Sequence, residues 1–536
     1  MSKSLALISL AALVIAVFFA GITPSFSSDD YVHLLNNTQF TNTLDALSVF
    51  SEPYGREYRP LVRFSLWLNH LMGTSAIPFK ITNLLLHLLI TGIVFKLLSQ
   101  LGFSVCAAFL GTAFFALHPI HVTSLHFILG RTDLVAALFY FSTLSLVAHW
   151  REKISFASYA GTWVMFIAAL LSKEVSVTLP LVMLMILFKH QPNKNFSTTL
   201  INLKQVTPFA AVAFLYVLVR VYLWSKATND IAGYINYSPT HVLANYGYWL
   251  FGLIYPFDLY FAQDWIFANK TLFCIFVISF LAVALYGVYW ITHGQRSQQI
   301  YWYCFALLWI VISLLPISGG NPHRWYLYIP SFGLCVFAAA VIDGSLPRRR
   351  NIAFAFISLV LLIYAAETSR LSAVWKRQSD MTQVVLNQIE EQQLYKKQNL
   401  YIANIPFGFQ SAYLFSFNSL EEAIKYRFGE APQIEEISYM NLDESSTLTT
   451  AVNKENIHFY LQPSPYEFVL LSALERRFDS LADRKISGIT LTVDQLADNK
   501  KISAYSLAIP DNMRASFYYF DHLLIKQMDT AELSSP

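Results

Sequence analysis

Residues 4–31 read SLALISLAALVIAVFFAGITPSFSSDDY, and the fold is decided here. The apolar run over 4–22 is close to the ~20 residues needed to span a bilayer. It also exceeds the ~7–15 apolar residues of a cleavable leader, so a retained helix is expected. Two adjacent carboxylates, Asp29 and Asp30, follow at its mouth. Ionisable groups at a membrane boundary are costly to desolvate and are commonly kept for chemistry. A plainer reading stands beside that one. Ser27, Ser28 or Asp29 ahead of Tyr31-Val32-His33-Leu34-Leu35 is a good helix N-cap. One carboxylate suffices for a cap, however. Two side by side repel, which separates their proton affinities and suits one of them to act as a base.

Of the 536 residues, 55% are hydrophobic and 13% charged, against about 25% charged in soluble domains. This composition belongs to a polytopic α-helical membrane protein. Further apolar runs fall at 78–99, 104–118, 132–149, 156–172, 174–188, 207–225, 241–262, 271–292, 300–317, 325–343 and 351–369. With the N-terminus inside, the basic loops at Arg151/Lys153, Lys189/Lys194/Lys204, Arg296 and Arg348-Arg349-Arg350 are expected to be cytoplasmic. That holds for all four only if one late run does not cross. The run 241–262 is broken by Tyr255-Pro256-Phe257-Asp258, which disfavours a continuous helix. The expectation is therefore about eleven spans plus one re-entrant or interfacial segment.

Residues 1–377 carry 24 Lys+Arg against 13 Asp+Glu, whereas 378–536 carry 13 against 21. The basic part is read as a membrane catalytic domain and the acidic part as an extracytoplasmic α/β domain. In the latter, strand-length runs appear at 400–403, 457–461, 468–471 and 489–493, with a helical pattern at 419–426. It holds no cysteine, hence no disulfide. Cys106, Cys274, Cys304 and Cys335 all lie in apolar runs and read as small buried hydrophobes, which excludes a thiolate zinc site.

Several polar constellations interrupt the apolar runs. Arg59 opens the Arg-Pro-Leu triplet 59–61, and Asn83 and His87 lie four apart on one helix face, where they either bond between helices or line a cavity. His118-Pro119-Ile120-His121 precedes Gly130-Arg131-Thr132-Asp133. The spacing of His118, His121 and His126 is not that of a helical metal pair. Arg131 either pairs with Asp133 or contacts a phosphate. Ser172-Lys173-Glu174 breaks two apolar runs, and Arg324 and Tyr326 sit in an aromatic stretch at 321–328. By parity of the spans, the Asp pair and the loops with His118, Lys173 and Arg324 fall on one outer face.

This ordered set resembles the membrane part of the transmembrane and TPR-containing protein O-mannosyltransferases and their bacterial relatives, of the GT-C class. The resemblance covers about residues 25–335 and rests on Ser28-Asp29-Asp30, Arg59-Pro60-Leu61, Asn69 to Gly73, Asn83 with His87, and His118 to Leu134. Ser172-Lys173-Glu174 and Tyr326 to Ser331 also match. The chain departs from the pattern at Lys80, Val122-Thr123 and the offset of Arg324, and it replaces the TPR array with the acidic domain.

The resemblance implies a membrane glycosyltransferase that moves a sugar, with mannose the family's choice, from a polyprenyl-phosphate donor to a hydroxyl by inverting displacement. Asp29 or Asp30 would be the base. Arg131, Lys173 and Arg324, with His118 and Tyr326 as hydrogen-bond donors, would hold the donor phosphate. Arg59, Asn83, His87, His121, Asp133 and Glu174 would line the cavity. No metal ligand set is assigned, and a divalent cation remains an open option. The expected partners are the lipid-linked sugar, the bilayer and a protein, lipid or glycan acceptor, with no nucleic acid. The expected location is the inner or plasma membrane. Two rivals stand: transfer to a lipid or surface glycan, and a non-catalytic transport or assembly protein for lipid-linked glycans.

Overall fold

A computed structural model describes the chain except residues 1, 36–47, 52–57, 74, 152–153, 190–195, 227–235, 256–271, most of 274–295, 347–348, 411, 417, 443–447, 453–455, 462–467, 471–483, 487–488, 497–501, 522 and 529–536. Arg56, Lys153, Lys194, Cys274, Arg348, the 256–258 break and most of the 271–292 run lie outside the described residues.

The first of two compact units comprises Met1–Ile22, Asn42–Leu259 and Lys270–Ser372. It is helical: α1 (Lys3–Phe18), α2 (Pro60–His70), α3 (Ala76–Gln100), α4 (Val105–Ala116), α5 (His121–His126), α6 (Arg131–Ala148), α7 (Phe156–Leu170), α8 (Leu179–Lys189), α9 (Phe196–Lys226), α10 (Pro239–Ile254), α11 (Arg296–Leu314), α12 (Phe332–Gly344) and the start of α13 (Arg350–Glu391). Helices satisfy every backbone polar group internally, which is what a hydrocarbon environment requires. Six helices among the described residues are long and apolar enough to cross a membrane, and α4, α7 and α12 are shorter apolar ones. Their outward faces are bare hydrocarbon: Leu85 and Leu89 on α3, and Phe214, Leu215 and Leu218 on α9, are all exposed. The chain is an integral membrane protein. α10 stops at Ile254, and Tyr255 is extended ahead of Pro256, as the pyrrolidine ring demands of its predecessor.

Short polar residues start these helices. Ser2, Ser104 and Ser155 each accept a first-turn backbone N–H. Ser104 also donates to Asp343 on α12, tying the start of α4 to that helix. α3 packs on α4 and α6, α6 on α7, and α12 on α4 and α11. The α4–α12 approach depends on Gly111, because a Cβ there would lie 2.6 Å from the Cys335 carbonyl oxygen. Small residues give membrane helices this intimacy.

The second unit takes Thr23–Thr41, Tyr260–Asn269 and Ala373–Pro536. The strands expected at 400–403, 457–461, 468–471 and 489–493 appear as β1 (Asn399–Ala403), β3 (Asn456–Leu461), β4 (Phe468–Leu470) and β5 (Ile489–Leu496). The helix expected at 419–426 is α14 (Ser419–Phe428). α14 leads into β2 (Gln433–Glu436), a parallel neighbour of β1, and β7 (Phe517–Asp521) runs parallel on the other side of β1. A larger mixed sheet is built around β6 (Ile502–Ala508), which pairs with β3, β4 and β5.

Two boundaries differ from the expectation. α13 crosses the expected domain boundary at 377 and runs unbroken to Glu391, burying Trp375, Val385, Leu386 and Ile389 along one side. Residues 23–35 were assigned to the membrane domain, yet they group with the C-terminal unit.

Gly111→Ala is expected to lower the thermal stability of the detergent-purified protein by about 1–3 kcal/mol, the usual cost of overpacking. Gly92→Ala on α3, where a new Cβ meets nothing within 4 Å, is the control and should melt with the wild type.

Candidate active site

The charged centre of the membrane unit forms where α7 ends. Ser172 bonds back to the Ala168 carbonyl (2.7 Å), and Lys173 then swings into an extended conformation, which separates α7 from the 3-10 turn Glu174–Thr178. Lys173 Nζ donates to Asp133 Oδ1, and both side chains are almost wholly buried. Asp133 lies in the first turn of α6, where the helix dipole favours a negative charge. The same ammonium lies 4.9 Å from the centroid of the Tyr326 ring. Next to it, Arg59 donates to both Glu174 oxygens at 3.0 and 3.2 Å.

Burial alone would raise the Glu174 carboxyl. Arg59 first, then Lys173, and Arg220 more weakly, instead pull it down to about 2. Four separate stretches of sequence thus meet here, with Arg59, Asp133, Lys173 and Glu174 in one ion network and Tyr326 against it. Arg220, buried on α9, was not among the expected residues. Its signal was legible, because it is a lone cation inside the apolar run 207–225.

Other expected residues turn out to brace helices. Arg131 has no exposed surface, and it does not pair with Asp133. Its guanidinium donates to Asn83 Oδ1 (2.7 Å), to the Ser65 and Phe79 carbonyls (3.0 and 2.7 Å) and to Asn69 Oδ1. It locks α2, α3 and α6 together through neutral acceptors. Asn83 also donates to the Leu125 carbonyl at 3.2 Å. His87 spans Tyr328 Oη (2.6 Å) and the Ala116 carbonyl (3.1 Å). His121 stacks near Tyr328, with centroids 4.3 Å apart. Asn83, His87 and His121 are fully buried; Asn83 and His87 bond between helices, while His121 Nδ1 is buried without a partner among the described residues.

His118 is likewise committed. Its Nδ1 accepts from the Ile120 N–H (3.3 Å), and its Nε2 faces the Leu253 carbonyl (3.0 Å). Burial pushes it down to about 4, so it is neutral at pH 7 and has no ring nitrogen left over for a phosphate. Arg324 lies half-buried in the 3-10 turn Arg324–Leu327. Among the described residues no group of three His, Cys, Asp or Glu is arranged to hold a metal ion.

In the second unit the two aspartates have parted roles. Asp30 is fully buried. Its Oδ2 accepts from the backbone N–H and the hydroxyl of Ser27, at 3.2 and 3.0 Å. A carboxylate reaching back three residues in this way is one half of a capping box. Asp29 is half-buried, and its Oδ1 accepts from Ser416 Oγ at 2.7 Å. Nothing in the sequence pointed to Ser416, 387 residues away.

No family model matches the chain. The chain is 25% identical over 405 residues to the protein O-mannosyl-transferase F38B6.6 of Caenorhabditis elegans, covering 69% of this chain and 56% of that protein. It is 37% identical over 133 residues to Drosophila melanogaster Tmtc2, covering 23% and 14%. It is 32% identical over 131 residues to human TMTC2, covering 23% and 15%. The chain thus spans about half the length of the nematode relative and less of the others. Among solved structures, ArnT from Cupriavidus metallidurans bound to undecaprenyl phosphate aligns with a TM-score of 0.43 at 12% identity, over 94% of this chain and 97% of that one. The expected resemblance to the TMTC protein O-mannosyltransferases is borne out in sequence.

Removing one partner of the Arg59–Glu174 pair strands the other in a half-buried site. Glu174→Gln is expected to cost about 1–3 kcal/mol. The pH dependence has a definite sign. Because the folded carboxyl sits at about 2 and the unfolded one at about 4.3, the pair's contribution is complete above roughly pH 4.3. It is lost as the pH falls toward 2. Thermal melts over this window should show the acid limb in the wild type and a shallower one in the variant.

Proposed function

We propose that this protein is a GT-C membrane glycosyltransferase. It moves a sugar, mannose in the first instance, from a polyprenyl-phosphate donor to a hydroxyl on the extracytoplasmic face. The observation that carries this reading is the ion network of Arg59, Asp133, Lys173 and Glu174, with Arg220 nearby. Buried charges are expensive, and this unit concentrates three basic and two acidic residues in a region otherwise made of apolar helices. The names of the relatives, protein O-mannosyl-transferases, supply the sugar and make protein the first acceptor class to try.

An acceptor hydroxyl is a weak nucleophile, so a carboxylate must take its proton as the new glycosidic bond forms. Asp29 is the better candidate. Asp30 is spent on its cap, whereas Asp29 keeps part of its carboxylate exposed. The sugar leaves a lipid phosphate that needs no proton, but its growing charge has to be balanced. Lys173 and Arg324 are proposed for that role, with Tyr326 beside Lys173. Arg131 and His118 are reassigned to shaping the helices around the site. Inversion is the stereochemical result of such a single displacement at the anomeric carbon.

Asp29→Asn should lower the turnover of a polyprenyl-phosphomannose donor by about 10²–10⁴-fold, the usual contribution of a general base. Asp30→Asn should instead destabilise the protein by about 1 kcal/mol through its cap, with turnover per folded molecule within about threefold of wild type. Full turnover by both variants would sink the mechanism, and the reverse pattern would exchange the two roles.

A further inference from the structure

The environment of Asp29 is supplied by a distant part of its own unit. Ser416, just ahead of α14, is fixed by its backbone: its N–H donates to Ser419 Oγ (2.7 Å), and its carbonyl accepts from the Ser419 N–H (2.8 Å). The Ser416 hydroxyl donates to Asp29 Oδ1 at 2.7 Å and accepts from Ser28 Oγ at 2.5 Å. Ser28 in turn donates its backbone N–H to the Leu414 carbonyl at 2.8 Å. Ser28 also has a φ of 42°, a region that side-chain-bearing residues occupy sparsely and only where their surroundings hold them.

Further contacts seat the same segment. Ser25 Oγ takes bonds from Ser379 Oγ (2.8 Å) and Gln383 (2.9 Å) on α13, and Phe26 packs edge-on against Tyr426 of α14 with centroids 5.5 Å apart. Arg427 on α14 donates to Gln383, Asn387 and Glu390 of α13. Three separate stretches of chain therefore converge on one short loop. The outcome at the carboxylate is asymmetric. Oδ1 accepts from Ser416 and lies 3.3 Å from the Ser28 hydroxyl, whereas among the described residues Oδ2 accepts no hydrogen bond.

We propose that Ser416 is a positioning residue for Asp29: its hydroxyl clamps one carboxylate oxygen and so presents the other to the acceptor hydroxyl. This rests on the reading of Asp29 as the base. In the proposed step the acceptor O–H proton passes to Asp29 as the acceptor oxygen bonds to the sugar's anomeric carbon, and the bond to the lipid phosphate breaks. Ser416 neither gains nor loses a proton. It fixes the plane of the group that does, and well-held geometry of this kind is what makes a base effective. By this proposal the acidic C-terminal domain, for which the sequence offered no role, supplies the residue that orients the base.

The test uses the full-length protein in lipid nanodiscs. Turnover of polyprenyl-phosphomannose is measured both to a Ser/Thr-rich peptide and, without peptide, to water. Ser416→Ala should lower kcat about tenfold while leaving the donor KM within twofold, because the proposed role of the lost bond is to orient the base. Ser416→Thr, which restores a hydroxyl, should recover most of the rate. In an Asp29→Asn background, Ser416→Ala should cause no further loss, as expected of two residues acting as one unit.

Wild-type kcat for Ser416→Ala, with Asp29→Asn inactive, would overturn the positioning role and leave the base in place. Wild-type kcat for Asp29→Asn would overturn the base and with it this proposal. A loss in Ser416→Ala that appears as raised KM, or that Ser416→Thr does not rescue, would also overturn it. Should Ser416→Ala fail to fold, Ser416→Cys keeps the volume with a weaker hydrogen bond and faces the same criteria.

Discussion

The constraint on which the membrane unit depends is that an ion taken out of water must find a counter-ion. Lys173 and Asp133 meet this need in each other. Neither could be buried alone without losing its charge or disrupting the packing. Their pairing requires α7 to stop, the chain to extend through Lys173, and α6 to present its first turn at the same level. Once those elements are in place, Glu174 follows Lys173 directly and brings Arg59 from 115 residues upstream. The ion network is thus a consequence of one loop geometry.

Neutral polar bonds play a different part. Arg131 could have been another member of that network. Instead it donates to two carbonyls and two asparagine side chains. A guanidinium holds five N–H donors in a rigid fork, so one such residue can fix three helices at once in surroundings where hydrophobic attraction between helices is weak. Positive charge in this unit therefore does two jobs. Lys173 and Arg59 face carboxylates, while Arg131 is structural cement.

Much of this was legible in the sequence, for reasons that can be named. Apolar runs are long because the bilayer is thick, so the helices were found. The short alternating runs beyond residue 398 became strands as expected. The partners were harder. Arg131 and Asp133 are close in sequence, but residues two apart on a helix do not face each other, and Asp133 found Lys173 instead. The fall in apolarity near Trp375 suggests a domain boundary at 377. It marks only a change of surroundings, since α13 keeps a buried side as far as Ile389. Ser416 gave no signal, because a serine ahead of a helix looks like any cap. Only the folded chain brings it to Asp29.

The bond between the Ser28 N–H and the Leu414 carbonyl also bears on biogenesis. The two residues are made far apart in time. At about 5–20 residues per second, roughly 20–80 s pass between their synthesis. During that interval the loop with Asp29 lacks the partners that hold it, and Ser28 has nothing to keep it in its unfavourable backbone conformation. The loop that carries Asp29 can therefore take its folded form only after residues 414–416 have been made.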